Sequence, residues 1–270
     1  MKTVTAFVGS ARKKGSTQAA ARQFLDNLQS FGGVQSEIVF LSDFNLGVCR
    51  GCKTCFLRGE ERCPLKDDRD VLIGKMMASD GVVFATPNYS FQVSAITKIF
   101  LDRLGFVFHR PCFHGRTFTG IVAQGFYGGG KLVKYLEFAG GALGFSVVKG
   151  SCITALEPMG EKERRKMEET LARQGRRFHE RLSNPVNPAP SFFQLMGFRM
   201  GRTAARIELG EDDRDYTYYR DKGWFDSDYF YPTRLGPLKK TAGAVFDLLA
   251  IRHYRKRMRP AAQPARESDR

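Results

Sequence analysis

Five short apolar or β-branched runs, each followed by a longer amphipathic stretch, fill the first 182 residues, and this alternation restricts the fold more than any other feature. Val4–Val8, Glu37–Leu41, Gly81–Ala85, Thr117–Ala123 and Phe145–Gly150 read as strands. Thr17–Gln29, Asp68–Met77, Val93–Leu104, Lys131–Leu143 and Glu161–Leu182 read as helices. Strands separated by helices are joined by crossovers, and right-handed crossovers build a doubly wound parallel sheet in an α/β fold. Five strands suit the order 2-1-3-4-5, with a ligand crevice at their carboxyl ends.

The pattern stops at Asn184–Pro190, where three prolines in seven residues cannot continue a helix. Beyond it Phe192–Met200 is a short apolar and aromatic run, and Glu211–Asp215 is acidic. Tyr216–Tyr231 holds the single tryptophan, Trp224, with five tyrosines and two phenylalanines. Leu238–Met258 reads as a basic amphipathic helix with Leu238, Ala242, Val245, Phe246, Leu249 and Ile251 on its apolar flank. Two regions are expected, residues 1–183 and an extension over 184–270, with the last ten or so residues disordered. No window approaches about 18 consecutive apolar residues, and no signal-peptide pattern opens the chain, so a soluble cytoplasmic protein is expected.

Lys and Arg number 43 against 28 Asp and Glu, a balance of +15. Such an excess invites a nucleic-acid or anionic-membrane reading. Its distribution argues against nucleic acid: no recognition motif is present, and the aromatic residues gather away from the densest basic run. Residues 184–270 carry 16 basic and 11 acidic side chains, leaving +10 on the first region. Gly236–Pro260 alone holds seven basic residues and one acidic. That helix can lie on a peripheral membrane or acidic protein surface, or pack its apolar flank on the domain or a second subunit. Trp224 and its tyrosines read as a strap that favours packing.

Directly after the first strand, Gly9-Ser10-Ala11-Arg12-Lys13-Lys14-Gly15-Ser16-Thr17 leads into a helix. Glycines, hydroxyls, backbone N–H groups and the positive end of a helix dipole converge there, which makes an anion site. An ordinary glycine turn capped by Ser16 or Thr17 explains the loop equally well. The spacing is neither GxGxxG nor GxxxxGK[ST], which removes support from dinucleotide-first and nucleoside-triphosphatase readings.

Cysteine use is uneven. Cys49, Cys52, Cys55 and Cys63 form a C-x2-C-x2-C-x7-C-P run, and only Cys112 and Cys152 lie elsewhere, reading as buried or inert. Compact four-thiolate ligation suits a 4Fe–4S cluster; structural zinc, which usually pairs two separated knuckles, ranks second. Arg50, Lys53, Arg58 and Arg62 flank the thiols and would offset a cluster's negative charge or activate free thiols in a redox switch.

The GSxRxxGST loop, Thr86-Pro87-Asn88-Tyr89-Ser90 after the third strand and the helix ending Phe100-Leu101-Asp102-Arg103 resemble the NADPH-dependent FMN reductase and iron–sulfur flavoprotein family, over about residues 1–182. The resemblance implies a flavodoxin-like fold. It implies an FMN-dependent NAD(P)H oxidoreductase in which Ser10, Arg12, Ser16 and Thr17 hold the FMN phosphate and Pro87, Asn88, Tyr89 and Ser90 border the isoalloxazine ring. A third loop, Gln124-Gly125-Phe126-Tyr127-Gly128-Gly129-Gly130, completes the site, with Gln124, Gly125, Gly128 and Gly129 as its candidates. It also implies a cluster at Cys49, Cys52, Cys55 and Cys63, an electron acceptor of unstated identity, and a homo-oligomer. Asp102 and Arg103 read as a helix-end ion pair. No catalytic acid or base is expected, because hydride chemistry on a flavin asks the protein to bind, orient and tune. A plain quinone or flavin reductase without a cluster, and a non-catalytic electron carrier, are the competing functions.

Overall fold

The computed structural model describes residues 1–156 and 158–258; the tail expected to be disordered lies outside the described residues. The chain divides into two compact units, residues 1–54 with 60–187 and residues 55–59 with 188–270. In chain order the elements are β1 (Lys2–Val8), α1 (Ser16–Gln29), β2 (Val34–Phe40), α2 (Thr54–Leu57), α3 (Arg69–Ala78), β3 (Gly81–Tyr89), β4 (Gln92–Val93), α4 (Ala95–Arg103), α5 (Gly105–His109), β5 (Thr117–Gln124), α6 (Gly129–Ala142), β6 (Ser146–Val147), β7 (Ser151–Thr154), α7 (Glu161–Ser183), α8 (Phe192–Glu208), α9 (Arg214–Asp221) and α10 (Pro237–Met258).

In the first unit the sheet runs β2-β1-β3-β5-β6, all parallel, which is the flavodoxin-like order with strands numbered by chain position. Two details correct the expectation of five continuous strands. The fifth strand, expected over Phe145–Gly150, is two pieces, β6 and β7, both parallel to β5. The break falls at Gly150, whose N–H donates to Glu137 Oε1 at 2.8 Å and whose α-carbon is so close to the Gly120 carbonyl that a side chain would collide with it. The helix expected over Val93–Leu104 begins at Ala95, because Gln92–Val93 pairs antiparallel with the end of β3 as β4.

Side-chain alternation places the core on both faces of the sheet. Val4, Ala6 and Val8 of β1 join Val83, Ala85 and Ile121 beneath α1 and α7, which contribute Ala20, Ala21, Phe24, Leu25 and Leu28, and Met167, Leu171, Phe178 and Leu182. On the alternate positions Phe7, Phe84 and Phe118 meet Phe100 of α4 in a chain of rings with neighbouring centroids 5.2–5.9 Å apart. β3 is buried from Gly81 to Pro87, which explains its continuous apolar character.

The second unit is helical. The Phe192–Met200 run is the first half of α8, opened by a capping box between Ser191 and Gln194. Trp224, with Leu195, Phe198, Tyr219, Phe225, Tyr229 and Leu235, forms this unit's own buried core, against which Phe246 of α10 packs. The apolar flank expected on α10 is met at Phe246, which packs against this core, and corrected elsewhere. Ala250 and Gly243 face inward, while Leu238, Val245 and Leu249 are exposed. Asp247 explains the rotation, because it bonds Arg199 at 2.9 Å and Arg202 at 2.7 Å, and Gly243 leaves room for the Arg199 guanidinium. Among the described residues no helix is long and apolar enough to cross a membrane.

Candidate functional site

Sheet order brings three separated segments together. β1, β3 and β5 are adjacent strands in register, with Val8 beside Ala85 and Pro87 beside Ala123. The segments after their carboxyl ends, starting at Gly9, Ser90 and Gly125, therefore leave the sheet side by side.

The first segment is folded tightly against α4. The Gly9 N–H donates to the Ala85 carbonyl at 2.8 Å, and the Ser94 hydroxyl donates to the Gly9 carbonyl. Ser94 also caps α4 by accepting from the Thr97 N–H. Ser10 and Thr17 are buried, and the Ser10 hydroxyl accepts the Arg12 N–H at 3.2 Å, curling the backbone. The N-cap of α1 is Gly15, and no side chain caps the helix, so capping by Ser16 or Thr17 is not the role these hydroxyls play. The positive end of α1 thus opens beside the buried hydroxyls of Ser10 and Thr17, a setting of the kind that suits an anion. Arg12 and Lys14 are exposed at the loop, whereas Lys13 turns away to Asp43 at 2.7 Å and over the Phe40 ring.

The second segment is a hairpin rather than an open loop. β3 runs through Pro87, Asn88 and Tyr89, then Ser90 and Phe91 turn the chain into β4. Both turn residues have positive φ, 50° and 61°, a conformation costly without glycine. It pushes Phe91 outward at 61% exposure, beside Tyr89 at 55%.

The third segment meets the hairpin. Asn88 Nδ2 donates to the Tyr127 carbonyl at 3.0 Å, and the Phe91 and Tyr127 rings lie 5.2 Å apart. Gly128 has φ 93° and a side chain there would press on Phe91. Gln124 is a brace: its Oε1 accepts the Gly129 N–H at 2.7 Å at the start of α6, and its Nε2 donates to Thr154 at 3.2 Å. Gly129 permits that approach, since a side chain would collide with Cys152 Sγ and Gln124. Gly125 contacts only Leu156 in this sense. Together the hairpin and third segment present Tyr89, Phe91, Phe126 and Tyr127 to solvent, an apolar wall of the sort a flat ring needs.

The cysteine segment is held at its ends. The Asp68 N–H donates to the Asn45 carbonyl and the Asn45 N–H to Asp68 Oδ2; Asp67 Oδ2 accepts the Gly47 N–H at 2.8 Å. Between these anchors Gly51 and Lys53 have positive φ. Cys49 and Cys52 are exposed, Cys55 is half-buried and Cys63 is buried. The Cys52 thiol is lowered, first by hydrogen bonds from the Thr54 hydroxyl and N–H and then by Arg50. Burial pushes the Cys152 thiol up, consistent with an inert role. Four thiols within 15 residues, flanked by arginines and one of them bonded by a guanidinium, fit the chemistry of a thiolate-ligated cluster. The structure does not bring them to one centre: among the described residues no three Cys, His, Asp or Glu side chains converge as metal ligands. Asp102 and Arg103 do not pair with each other. Asp102 pairs with Lys98, and Arg103 with Asp67 at 3.0 Å. Burial alone would raise the Asp67 carboxyl, but the bonds from Arg103, Gly47 and Arg69 outweigh it and hold it below the usual carboxylate range.

Phe91, Ser94 and Thr97 escape sequence reasoning. Phe91 follows a quoted motif by one residue, and Ser94 and Thr97 carry only the generic signal of a helix start.

The NADPH-dependent FMN reductase family model matches residues 2–156. An iron–sulfur flavoprotein of Methanocaldococcus jannaschii is 36% identical over 95 residues, 35% of this chain and 48% of that protein. One from Archaeoglobus fulgidus is 33% identical over 153 residues, 53% of this chain and 68% of that protein. The chain thus spans about half to two-thirds of the length of these curated relatives. Among solved structures, an oxidoreductase from Corynebacterium diphtheriae superposes with a TM-score of 0.54 at 18% identity, covering 69% of this chain and 99% of that one. With a family model matching over half its length in the unit that carries the three converging segments, the chain belongs to the NADPH-dependent FMN reductase and iron–sulfur flavoprotein family.

Proposed function

We propose that the protein is an FMN-dependent NAD(P)H oxidoreductase that exchanges electrons between the flavin and a 4Fe–4S cluster. The observation that carries this reading is the arrangement around β1, β3 and β5: an uncapped helix N-terminus with buried hydroxyls on one strand, and four exposed aromatic rings on the next two. Ser10, Ser16, Thr17 and the α1 N-terminus would hold the FMN phosphate, with Arg12 adding charge from the rim. Pro87, Asn88, Tyr89, Ser90 and the backbone from Gly125 to Gly129 would border the ring, Gln124 bracing the last of these. FMN bound there accepts a hydride from the nicotinamide and can release electrons singly, which is the chemistry the chain itself lacks. The chain's own residues bind, orient and shield that group, and no side chain needs to transfer a proton.

Cys49, Cys52, Cys55 and Cys63 would hold the cluster; the spacing and the iron–sulfur names of the two relatives support this. Anaerobically purified full-length protein is expected to show flavin absorbance together with stoichiometric iron and sulfide. Flavin without iron would leave a plain NAD(P)H:quinone or flavin reductase, the second reading, favoured by the lack of convergence among the thiols. In that case Cys52→Ser would leave turnover unchanged.

A further inference from the structure

We propose that the outward face of α10 is a docking surface for an anionic lipid bilayer, which it meets with a stripe of apolar side chains and a basic end. The inference depends on neither the flavin nor the cluster reading. An α-helix turns about 100° per residue, so Leu238, Val245, Leu249, Arg252 and Lys256 fall on one stripe of α10, bordered by Leu248 and Arg255. All seven are exposed, the four apolar ones by 47–79%. The opposite side of the helix is committed to its own unit. Gly243 and Ala250 are buried and Phe246 packs on the aromatic core. Asp247 accepts from Arg199, Arg202 and Thr203 at 2.9, 2.7 and 3.2 Å.

A helix that packs only to stabilise its own fold turns its leucines inward and its charges outward. α10 reverses that rule at these positions. Asp247 is the one acidic residue between Gly236 and Pro260, against seven basic ones. With Asp247 turned inward, the outward stripe carries leucines and cations and no carboxylate, so the surface that complements it is both apolar and anionic. A second copy of the chain does not meet that description. Symmetric pairing would set the stripe against itself, with cations facing cations or leucines and no carboxylate to receive them. The stripe also stands on the convex side of a single helix and runs about 27 Å from Leu238 to Lys256 at 1.5 Å per residue. Acyl chains flow around separate side chains on such a ridge, whereas a folded partner needs a groove cut to match. The stems of Arg252, Arg255 and Lys256 are long enough to keep their charges among headgroups while the leucines enter below them. Beside the start of the stripe, exposed Phe192 of α8 carries Lys239 over its ring at 5.9 Å, which adds a further apolar group and cation.

The test sediments the full-length protein with vesicles of phosphatidylcholine alone, and with vesicles containing about one-third phosphatidylglycerol, in about 50 mM salt. Wild type is expected to partition about tenfold more strongly onto the anionic vesicles and to be released from them at about 0.5 M salt. The pair Leu248→Ser with Leu249→Ser, and the triple Arg252→Gln, Arg255→Gln and Lys256→Gln, are each expected to lose about tenfold of that partitioning. Unchanged Trp224 emission in both shows that the helical unit remains folded. Wild type that binds the two vesicles equally or binds neither overturns the inference, as do variants that bind like wild type. Sedimentation velocity without lipid provides the competing outcome: a wild-type dimer that the serine pair dissociates, with no vesicle binding, assigns the stripe to a second copy and overturns the lipid reading. Should the triple variant fail to fold, the serine pair decides the question alone.

Discussion

A side chain at position 9 would collide with Thr97 Oγ1 and press on Ser94 Oγ. Gly9 is therefore needed less for a sharp turn than for the close approach of the first loop to α4, a contact between residues 85 or more apart that no local pattern announces. The hydroxyls of the segment are legible in sequence as either anion ligands or helix caps, and it is the absence of a side-chain cap on α1 that sets the capping reading aside. The hydroxyls that shape it from behind, Ser94 and Thr97, are not. His114 is a further case of a role set by surroundings. Burial holds its ring down at about 4, with bonds to the Gly144 and Pro111 backbone pulling weakly the other way. The unfolded chain takes up the proton near the ordinary 6.5, so stability is complete above that value and falls as pH drops toward 4. The expected loss between pH 7 and pH 5 is about 2 kcal/mol. Urea midpoints at the two pH values check it, and His114→Gln is expected to flatten the difference; an unchanged slope would show that other groups carry it.

At the scale of elements, the β3–β4 hairpin trades stability for a displayed ring. Ser90 and Phe91 both occupy the left-handed region, and each such residue costs about 1–3 kcal/mol. Phe91→Gly is expected to stabilise the apoprotein by about 1 kcal/mol while weakening FMN binding by tenfold or more. Thermal melts without flavin and fluorescence titration with it separate the two effects; a variant that loses both stability and affinity would contradict the argument. α4 is the element that links the proposed centres. Its N-cap, Ser94, grips Gly9 and its last residue, Arg103, grips Cys63, about 14 Å further on at 1.5 Å per residue. The helix itself is readable from the apolar spacing over Val93–Leu104. Its two attachments are not, because each depends on which strand the sheet places beside it.

At the scale of the whole molecule, the two units have separate cores and separate reporters. Trp224, the single tryptophan, lies in the aromatic core of the helical unit and donates its Nε1–H to the Phe230 carbonyl at 3.0 Å. Its emission follows that unit. Phe198→Ala is expected to destabilise the tryptophan transition by about 3–5 kcal/mol. FMN at a hundredfold excess over its Kd is expected to raise the transition of the sheet unit by about 2.7 kcal/mol and leave the tryptophan signal where it is. A tryptophan transition that moves with FMN would overturn that separation. Ion pairs such as Lys13 with Asp43, Arg199 and Arg202 with Asp247, and Arg103 with Asp67 set cation against anion and leave the +15 balance as it stands. Strand and helix alternation, the glycine-rich first loop and the cysteine spacing are determined by sequence alone, because each depends on residues within one turn or one strand of each other, and the parallel order follows from that alternation only through the handedness of crossovers. The broken fifth strand, the inward face of α10, the aromatic wall around Phe91 and the hold of Arg103 on Cys63 were decided by tertiary structure. Those features come from close packing and buried charge pairing between segments that are distant in sequence, and short-range pattern contains no information about which of them meet.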